Sequence, residues 1–158
     1  MSRREQIRMT DEEIEGFLAD GRVVTCATVG PAGRPHLLPL WYVPDGLDVL
    51  CWTYRSSQKT ANLRRLAEAT LQVEDGERYE DLRGVMMECG VKIVEDADAV
   101  AEVGLAVARR YTPGLAPGDP VPPELERAAA QQAVKRVALR FSPTRIVSWD
   151  HRKLGGVY

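Results

Sequence analysis

Cys51-Trp52-Thr53-Tyr54-Arg55-Ser56-Ser57-Gln58-Lys59-Thr60-Ala61-Asn62-Leu63-Arg64-Arg65 reads as the end of an apolar strand, a short turn and the first turns of a helix. The first N–H groups of a helix have no partner within it and carry partial positive charge. Such a helix start attracts anions, phosphate above all. Ser57 and Thr60 add hydroxyl donors and Lys59 a full positive charge. Ser and Thr are also the ordinary capping residues of helices, so the same stretch serves either as a plain cap with a solvated Lys or as a phosphate-holding turn built without glycine.

The pattern extends upstream of this turn. Thr10-Asp11-Glu12-Glu13 is a capping box, and Ile14, Phe17 and Leu18 follow at helical spacing, predicting a helix over 11–20 that ends by Gly21. Arg22 to Val29 is rich in β-branched residues and reads as a strand. Gly30-Pro31-Ala32-Gly33-Arg34-Pro35 is a turn, His36 to Val43 a second strand, Pro44-Asp45-Gly46 a turn, and Leu47 to Thr53 a third strand. Two hairpin links in succession predict an antiparallel meander, with Pro39 marking an edge or a bulge.

Downstream of the helix expected over Ser57–Leu66, the sequence predicts a short strand over 70–74 and a turn at Asp75-Gly76-Glu77. A long strand over 82–94 follows, with Gly84 and Gly90 at bends, then a helix over 97–111. Residues 112–123 hold five prolines and two glycines and read as a loop or lid. An Ala-rich helix over 124–133 and two closing strands, 134–141 and 145–149, complete the chain. Six or seven antiparallel strands with three or four accessory helices favour a closed or nearly closed barrel, mainly β, in a single domain over 1–158. A barrel this small fills its interior with side chains, so a ligand is expected on an outer face, at a dimer interface.

Composition sets bounds on function. The 158 residues are 44% hydrophobic and 28% charged, ordinary for a globular domain. A formal net charge of -2 gives no footing for broad nucleic-acid or anionic-membrane binding. No apolar run approaches the ~20 residues of a membrane helix, and no apolar signal segment follows the first residues, so the expected location is cytoplasmic. Cys26, Cys51 and Cys89 are dispersed in apolar runs and read as buried, inert thiols. His36 and His151 lie far apart, with no close acidic or thiol partner at ligand spacing, so no metal site is expected.

With these elements in order, a family resemblance emerges. Ala27-Thr28-Val29-Gly30-Pro31-Ala32-Gly33-Arg34-Pro35-His36 resembles the opening hairpin of the pyridoxamine-phosphate-oxidase-like split β-barrel superfamily. Trp52-Thr53, Ser57-Gln58-Lys59 and Asn62-Leu63 together are similar to its flavin-phosphate motif. The ending Ser148-Trp149-Asp150-His151-Arg152-Lys153-Leu154-Gly155-Gly156 resembles a branch of small actinobacterial members linked to the deazaflavin coenzyme F420. The resemblance implies a homodimer of split barrels with two flavin-type cofactors in clefts between the subunits. It implies that Ser57, Gln58 and Lys59 lie at the cofactor phosphate and Trp52 and Thr53 near the ribityl chain. His36, Leu38, Pro39 and Trp41 would border the ring system, Arg83, Gly84 and Val85 would pass it from the other side, and Trp149 would stand near the substrate.

The chain departs from the FMN-dependent pattern in one respect. Pyridoxamine phosphate oxidases resemble Ser-Arg-Lys where this chain has Ser57-Gln58-Lys59, and they use basic residues on a strand that here reads His36-Leu37-Leu38-Pro39-Leu40-Trp41. One cation fewer weakens phosphate binding by about 1.5–3 kcal/mol. The leading expectation is therefore an F420-dependent oxidoreductase passing hydride to a small planar organic substrate. The alternatives are an FMN-dependent oxidoreductase and a non-catalytic module that holds a flavin, a deazaflavin or haem. In hydride transfer the cofactor carries the chemistry and the protein binds, orients and excludes water. No catalytic acid or base can be named on that account.

Overall fold

A computed structural model describes residues 2–116 and 118–156. Its centre is one seven-stranded antiparallel sheet, curled into a half-barrel, with strand order β2-β1-β5-β6-β7-β4-β3. The strands are β1 (Val24–Val29), β2 (Pro35–Leu40), β3 (Val43–Asp45), β4 (Asp48–Tyr54), β5 (Glu68–Asp75), β6 (Arg83–Val94) and β7 (Arg136–Asp150). The helices are α1 (Arg3–Gln6), α2 (Asp11–Asp20), α3 (Gln58–Arg65), α4 (Ala97–Tyr111) and α5 (Pro123–Ala133). Two single-turn 3-10 segments, Tyr79–Asp81 and His151–Leu154, flank the long strands.

Local signals set the helix starts. Thr10 accepts from the Glu13 N–H at 3.2 Å, while the Glu13 carboxylate accepts from the Thr10 N–H at 2.7 Å. Each satisfies a donor that the first turn of α2 leaves open. Ser2 and Glu5 build the same box for α1, a helix the sequence reading did not anticipate. Asp96 caps α4 at the Ala99 N–H, and Pro123 opens α5.

Two expected features are corrected. The strand read over 36–43 breaks at Trp41-Tyr42, so β1–β2 and β3–β4 are separate hairpins, and no meander joins them. β2 and β3 lie at opposite edges of the sheet, and the two residues between them carry the chain across. Tyr42 anchors the crossing. Its ring is fully buried, its hydroxyl donates to the Leu18 carbonyl at 2.7 Å, and its N–H donates to the Tyr111 hydroxyl at 3.0 Å. Leu40 to Val43 is continuously apolar, so alternation could not mark the break. The second correction concerns the closing strands, which are one strand, β7. Ser142-Pro143-Thr144 stays in the sheet because the pairing slips there. Cys89 faces Pro143 and Glu88 faces Arg145, leaving Thr144 as the extra residue of a bulge. The Thr144 hydroxyl donates to the Glu88 carbonyl at 3.0 Å.

Alternation along the strands divides the molecule. Val24, Cys26, Leu71, Val85, Met87, Cys51, Leu139 and Phe141 point to the concave side and form the main core with Phe17 and Leu18 of α2 and Leu63 of α3. All three cysteines are buried and free. A second, smaller core lies on the convex side of β4 and β7, where Val100 and Ala133 meet Ala138 and Trp52 packs beneath α4. Gly104 makes that packing possible, since a Cβ there would stand 2.2 Å from the Trp52 ring. Leu37 and Val29, on the convex side of the β1–β2 hairpin, are exposed.

Candidate functional site

β4 ends at Tyr54, and the chain turns through Arg55 and Ser56 into α3. Ser57 is the N-cap, accepting from the Thr60 N–H at 3.3 Å, with its hydroxyl 2.9 Å from that of Thr60. The capping role is thus real. α3 then lays its polar residues, with Leu63, against the open end of the half-barrel: Lys59, Thr60 and Asn62 are buried, at 5%, 0% and 1% exposure. Asn62 donates to the Thr28 hydroxyl at 3.0 Å, Gln58 donates to Asn62 at 2.9 Å, and Thr60 donates to the Tyr54 carbonyl at 3.1 Å. The end of the barrel is closed by a hydrogen-bonded polar plug.

Lys59 is the unusual member. Its amine donates to the Thr53 hydroxyl at 2.8 Å on the concave face of β4. An ammonium has three donors, and Thr53 is the acceptor seen for it among the described residues. No carboxylate stands nearby in sequence, because residues 49–67 contain no Asp or Glu. Burial pulls the amine below the ordinary lysine range, the neighbouring Cys26 and Cys51 thiols oppose this, and Arg136 adds to it. A buried cation with a neutral partner is costly unless an anion joins it. The thiols are inert: burial raises Cys26 to about 11 and Cys89 to about 12, and pushes Cys51 higher still.

His36 stands opposite Thr28 in the β1–β2 pairing, on the same face as Thr28. Its Nδ1 is sealed from water and has no hydrogen-bond partner among the described residues. Leu38, two residues on, faces the same side and is exposed. Beside Thr28 and Pro35 opens a cleft of about 490 Å³ that runs past Glu68, Glu88 and Gly90. Glu88 is paired with Arg145 at 2.8 Å.

The expected site residues fall into separate groups. His36, Leu38, Thr53, Ser57, Gln58 and Lys59 gather around the plug. Trp52 alternates to the convex face under α4. Arg83, Gly84, Val85 and Trp149 lie on β6 and β7 toward the opposite end of the sheet, level with Asp75 rather than with Ala69. Five residues of strand separate Gly84 from Cys89, about 16 Å. Arg83 there pairs with Asp75 at 2.8 Å and stacks over Phe17. Trp149 lies across Gly84, where a Cβ would be 2.3 Å from the indole. Val85 is enclosed in the core, which leaves only its backbone to meet a ligand. Pro39 is exposed, opposite Thr25, and Trp41 stacks on Tyr111 with centroids 4.5 Å apart. One chain therefore does not bring all these residues together.

Two features escaped the sequence reading: the bond from Asn62 to Thr28, and Arg136, which stacks on Trp52 and Tyr54. A signal for the second exists, since residues 127–149 also contain no acid. Among the described residues no group of three or more His, Cys, Asp or Glu is placed to hold a metal ion.

A half-barrel of this order, with a helix start set on its open end, is the architecture of the split barrels. The family model described as pyridoxamine 5'-phosphate oxidase matches residues 10–150, and the chain belongs to that family, which includes oxidoreductases. A conserved hypothetical protein from Mycobacterium tuberculosis is 40% identical, with a TM-score of 0.88 over 100% of this chain and 95% of its own. An F420 reductase shares the fold at 23% identity and a TM-score of 0.63, over 84% of this chain and 94% of its own. So does the haem storage protein HutZ from Vibrio cholerae, at 16% identity and a TM-score of 0.65, over 87% of this chain and 93% of its own. No curated protein matches the chain. Among the described residues no helix is long and apolar enough to cross a membrane.

Proposed function

We propose that this protein is an F420-dependent oxidoreductase that works as a homodimer and passes hydride to a small planar organic substrate. The observation that carries the reading is the Lys59 ammonium, buried against Thr53 in a stretch free of carboxylates. Its unspent donors suit the phosphate of a cofactor. The orphaned Nδ1 of His36 and the exposed Leu38 beside it suit the edge and face of a ring system. The residues present thus fit a phosphorylated flavin-type group.

Lys59, Ser57 and Gln58 would hold the phosphate, and β2 would border the ring. When bound, the deazaflavin supplies a two-electron hydride donor. The chain's own work is to bind, to orient and to keep water out, and the apolar, uncharged β2 favours a ring over a second phosphate contact. Among fold relatives the F420 reductase gives the deazaflavin reading a precedent. The distance between the plug and Trp149 within one chain supports a cleft completed by a second copy, as does the exposed Leu37 on the convex face.

Paired titrations of the purified protein with F420 and FMN, followed by fluorescence, test the reading. Saturable binding with preference for F420 is expected. Preference for FMN refutes the deazaflavin assignment, and tight binding with no reduction of any acceptor refutes the enzymatic one.

A further inference from the structure

Arg136 opens β7 directly opposite Tyr54, on the convex face that also carries Trp52. Its guanidinium carbon lies 4.4 Å from the centroid of Trp52 and 4.3 Å from that of Tyr54. The guanidinium thus packs against two aromatic rings, and among the described residues it has no salt bridge. The donors remain. Among the described residues none accepts a hydrogen bond from Arg136, and its Nε is sealed from water with no partner. A guanidinium has five N–H donors in a rigid fork that matches an oxyanion. Other half-buried arginines here have acceptors: Arg83 pairs with Asp75, Arg140 with Asp45 and Asp48, and Arg110, whose Nε is also without a partner, donates through Nη2 to the carbonyls that end α2.

The surroundings reinforce the point. Arg55 follows Tyr54, its N–H donating to the Lys135 carbonyl at 2.9 Å, so Arg55, Lys135 and Arg136 meet where β4 and β7 are bonded. The two segments that meet there, 49–67 and 127–149, contain no Asp or Glu. Tyr54 is half exposed, so the cluster is open to solvent. A guanidinium packed on two rings, with no acceptor among the described residues, has donors free for an anion.

We infer that Arg136, packed against Trp52 and Tyr54 where the Arg55 and Lys135 backbones are bonded, is an oxyanion-binding site that takes a phosphoryl or carboxylate group of a ligand. It lies on the convex side of β4, while Lys59 and Thr53 lie on the concave side, so it is a separate subsite and does not rest on the choice of cofactor. The group is held by the edge of the fork while the rings keep the plane still. Charge-assisted bonds of this kind are about twice as strong as neutral ones.

The indole N–H resonance of Trp52, identified by its loss in Trp52→Phe, reports on the stacked guanidinium. The full chain is titrated with inorganic phosphate and, separately, with glutarate, each against sodium chloride at equal ionic strength. A saturable shift of the Trp52 signal is expected, with at least tenfold weaker binding in Arg136→Gln, the loss of about one charged hydrogen bond. Arg136→Lys keeps the charge without the fork and is expected to fall between the two. Tighter phosphate binding assigns a phosphoryl ligand, and tighter glutarate binding a carboxylate. No saturable shift in the wild type, or an undiminished shift in Arg136→Gln, overturns the site and leaves Arg136 a stacking clip. Unchanged Trp41 and Trp149 signals in the variants confirm that the fold is intact, which keeps either result decisive.

Discussion

Replacing Lys59 by Met separates the two roles its burial allows. The side chain is 5% exposed and its amine meets Thr53 at 2.8 Å. If Lys59 only fills the barrel end, an unbranched apolar side chain of similar length serves as well. Exchanging a desolvated charge for a well-packed hydrophobe is neutral or stabilising, by up to about 4 kcal/mol where a whole ion pair is replaced. Here one charge leaves and the Thr53 hydroxyl loses a donor, so a change within about 1 kcal/mol of wild type is expected. If Lys59 holds a phosphate, the same change removes a charged hydrogen bond worth about 1.5–3 kcal/mol, a tenfold or greater rise in the F420 dissociation constant. The assay pairs denaturant unfolding with fluorescence titration of F420. Unchanged stability with at least tenfold weaker binding is expected. Unchanged binding refutes the phosphate role, and a large loss of stability shows that the ammonium has a structural partner. The sign of the pH dependence is also fixed. The folded amine titrates below the unfolded value of 10.5, so the unfolded chain binds more protons in the window between the two. Stability attributable to Lys59 therefore rises with pH through that window, and Lys59→Met lacks the rise.

Further outcomes follow from packing and reactivity. Gly104→Ala places a methyl 2.2 Å from the Trp52 ring. Overpacking of this kind costs about 1–3 kcal/mol, readable as a lower denaturant midpoint at constant slope. Thr10→Ala removes the cap of α2 and is expected to cost about 1 kcal/mol by the same measurement. The three thiols are buried, with Cys26 raised to about 11 and Cys89 to about 12. At pH 8 a thiol reagent should label the folded protein at the rate of unfolding, and fast labelling of any cysteine would contradict the packing. A dimer burying more than about 2,000 Å² is expected by light scattering at micromolar concentration. Leu37→Asp on the exposed convex face should shift it toward monomer, and a monomeric wild type would refute the shared cleft.

How legible the fold was depended on whether local signals stood alone. α2 matched its expected bounds because a capping box, helical spacing and Gly21 agreed, and α4 because its helical run gives way to the proline-rich segment from Thr112. β1, α3 and β6 came within a residue or two for the same reason. The failures share one cause. Leu40-Trp41-Tyr42-Val43 looks like uninterrupted strand, and only the tertiary partners of Tyr42, Leu18 and Tyr111, make it a crossing. Ser142-Pro143-Thr144 looks like a turn, and only the opposing β6 absorbs it as a bulge. Strand order was equally hidden: nothing local tells β5 to lie between β1 and β6 while β4 pairs with β7.

The site shows the same division, one level up. Ser57 could be read as cap or as phosphate donor, and the structure shows it as the cap: its oxygen accepts from the Thr60 N–H, and its hydroxyl donates to that of Thr60, whose own proton goes to the Tyr54 carbonyl, so a phosphate would have to displace that bond. Lys59, at the second position of a helix, could be read as a solvated cation or as a phosphate ligand, and nothing local announces its burial. It is buried because α3 turns that face onto the barrel end, beside Asn62 and Leu63, a consequence of β1 and β4 standing where the sheet order puts them. Burial is what changes its meaning. A solvated lysine would attract an anion weakly, whereas one desolvated against a threonine hydroxyl, in a stretch without carboxylates, has donors that water no longer satisfies. Arg136 follows the same logic on the other side of the same strand: its rings are supplied by β4, and its lack of an acid is a property of both segments together. The sequence names residue types able to meet an anion. Whether any of them is left without a partner is decided by the sheet, and that unpaired state is the basis for reading each one as a binding group.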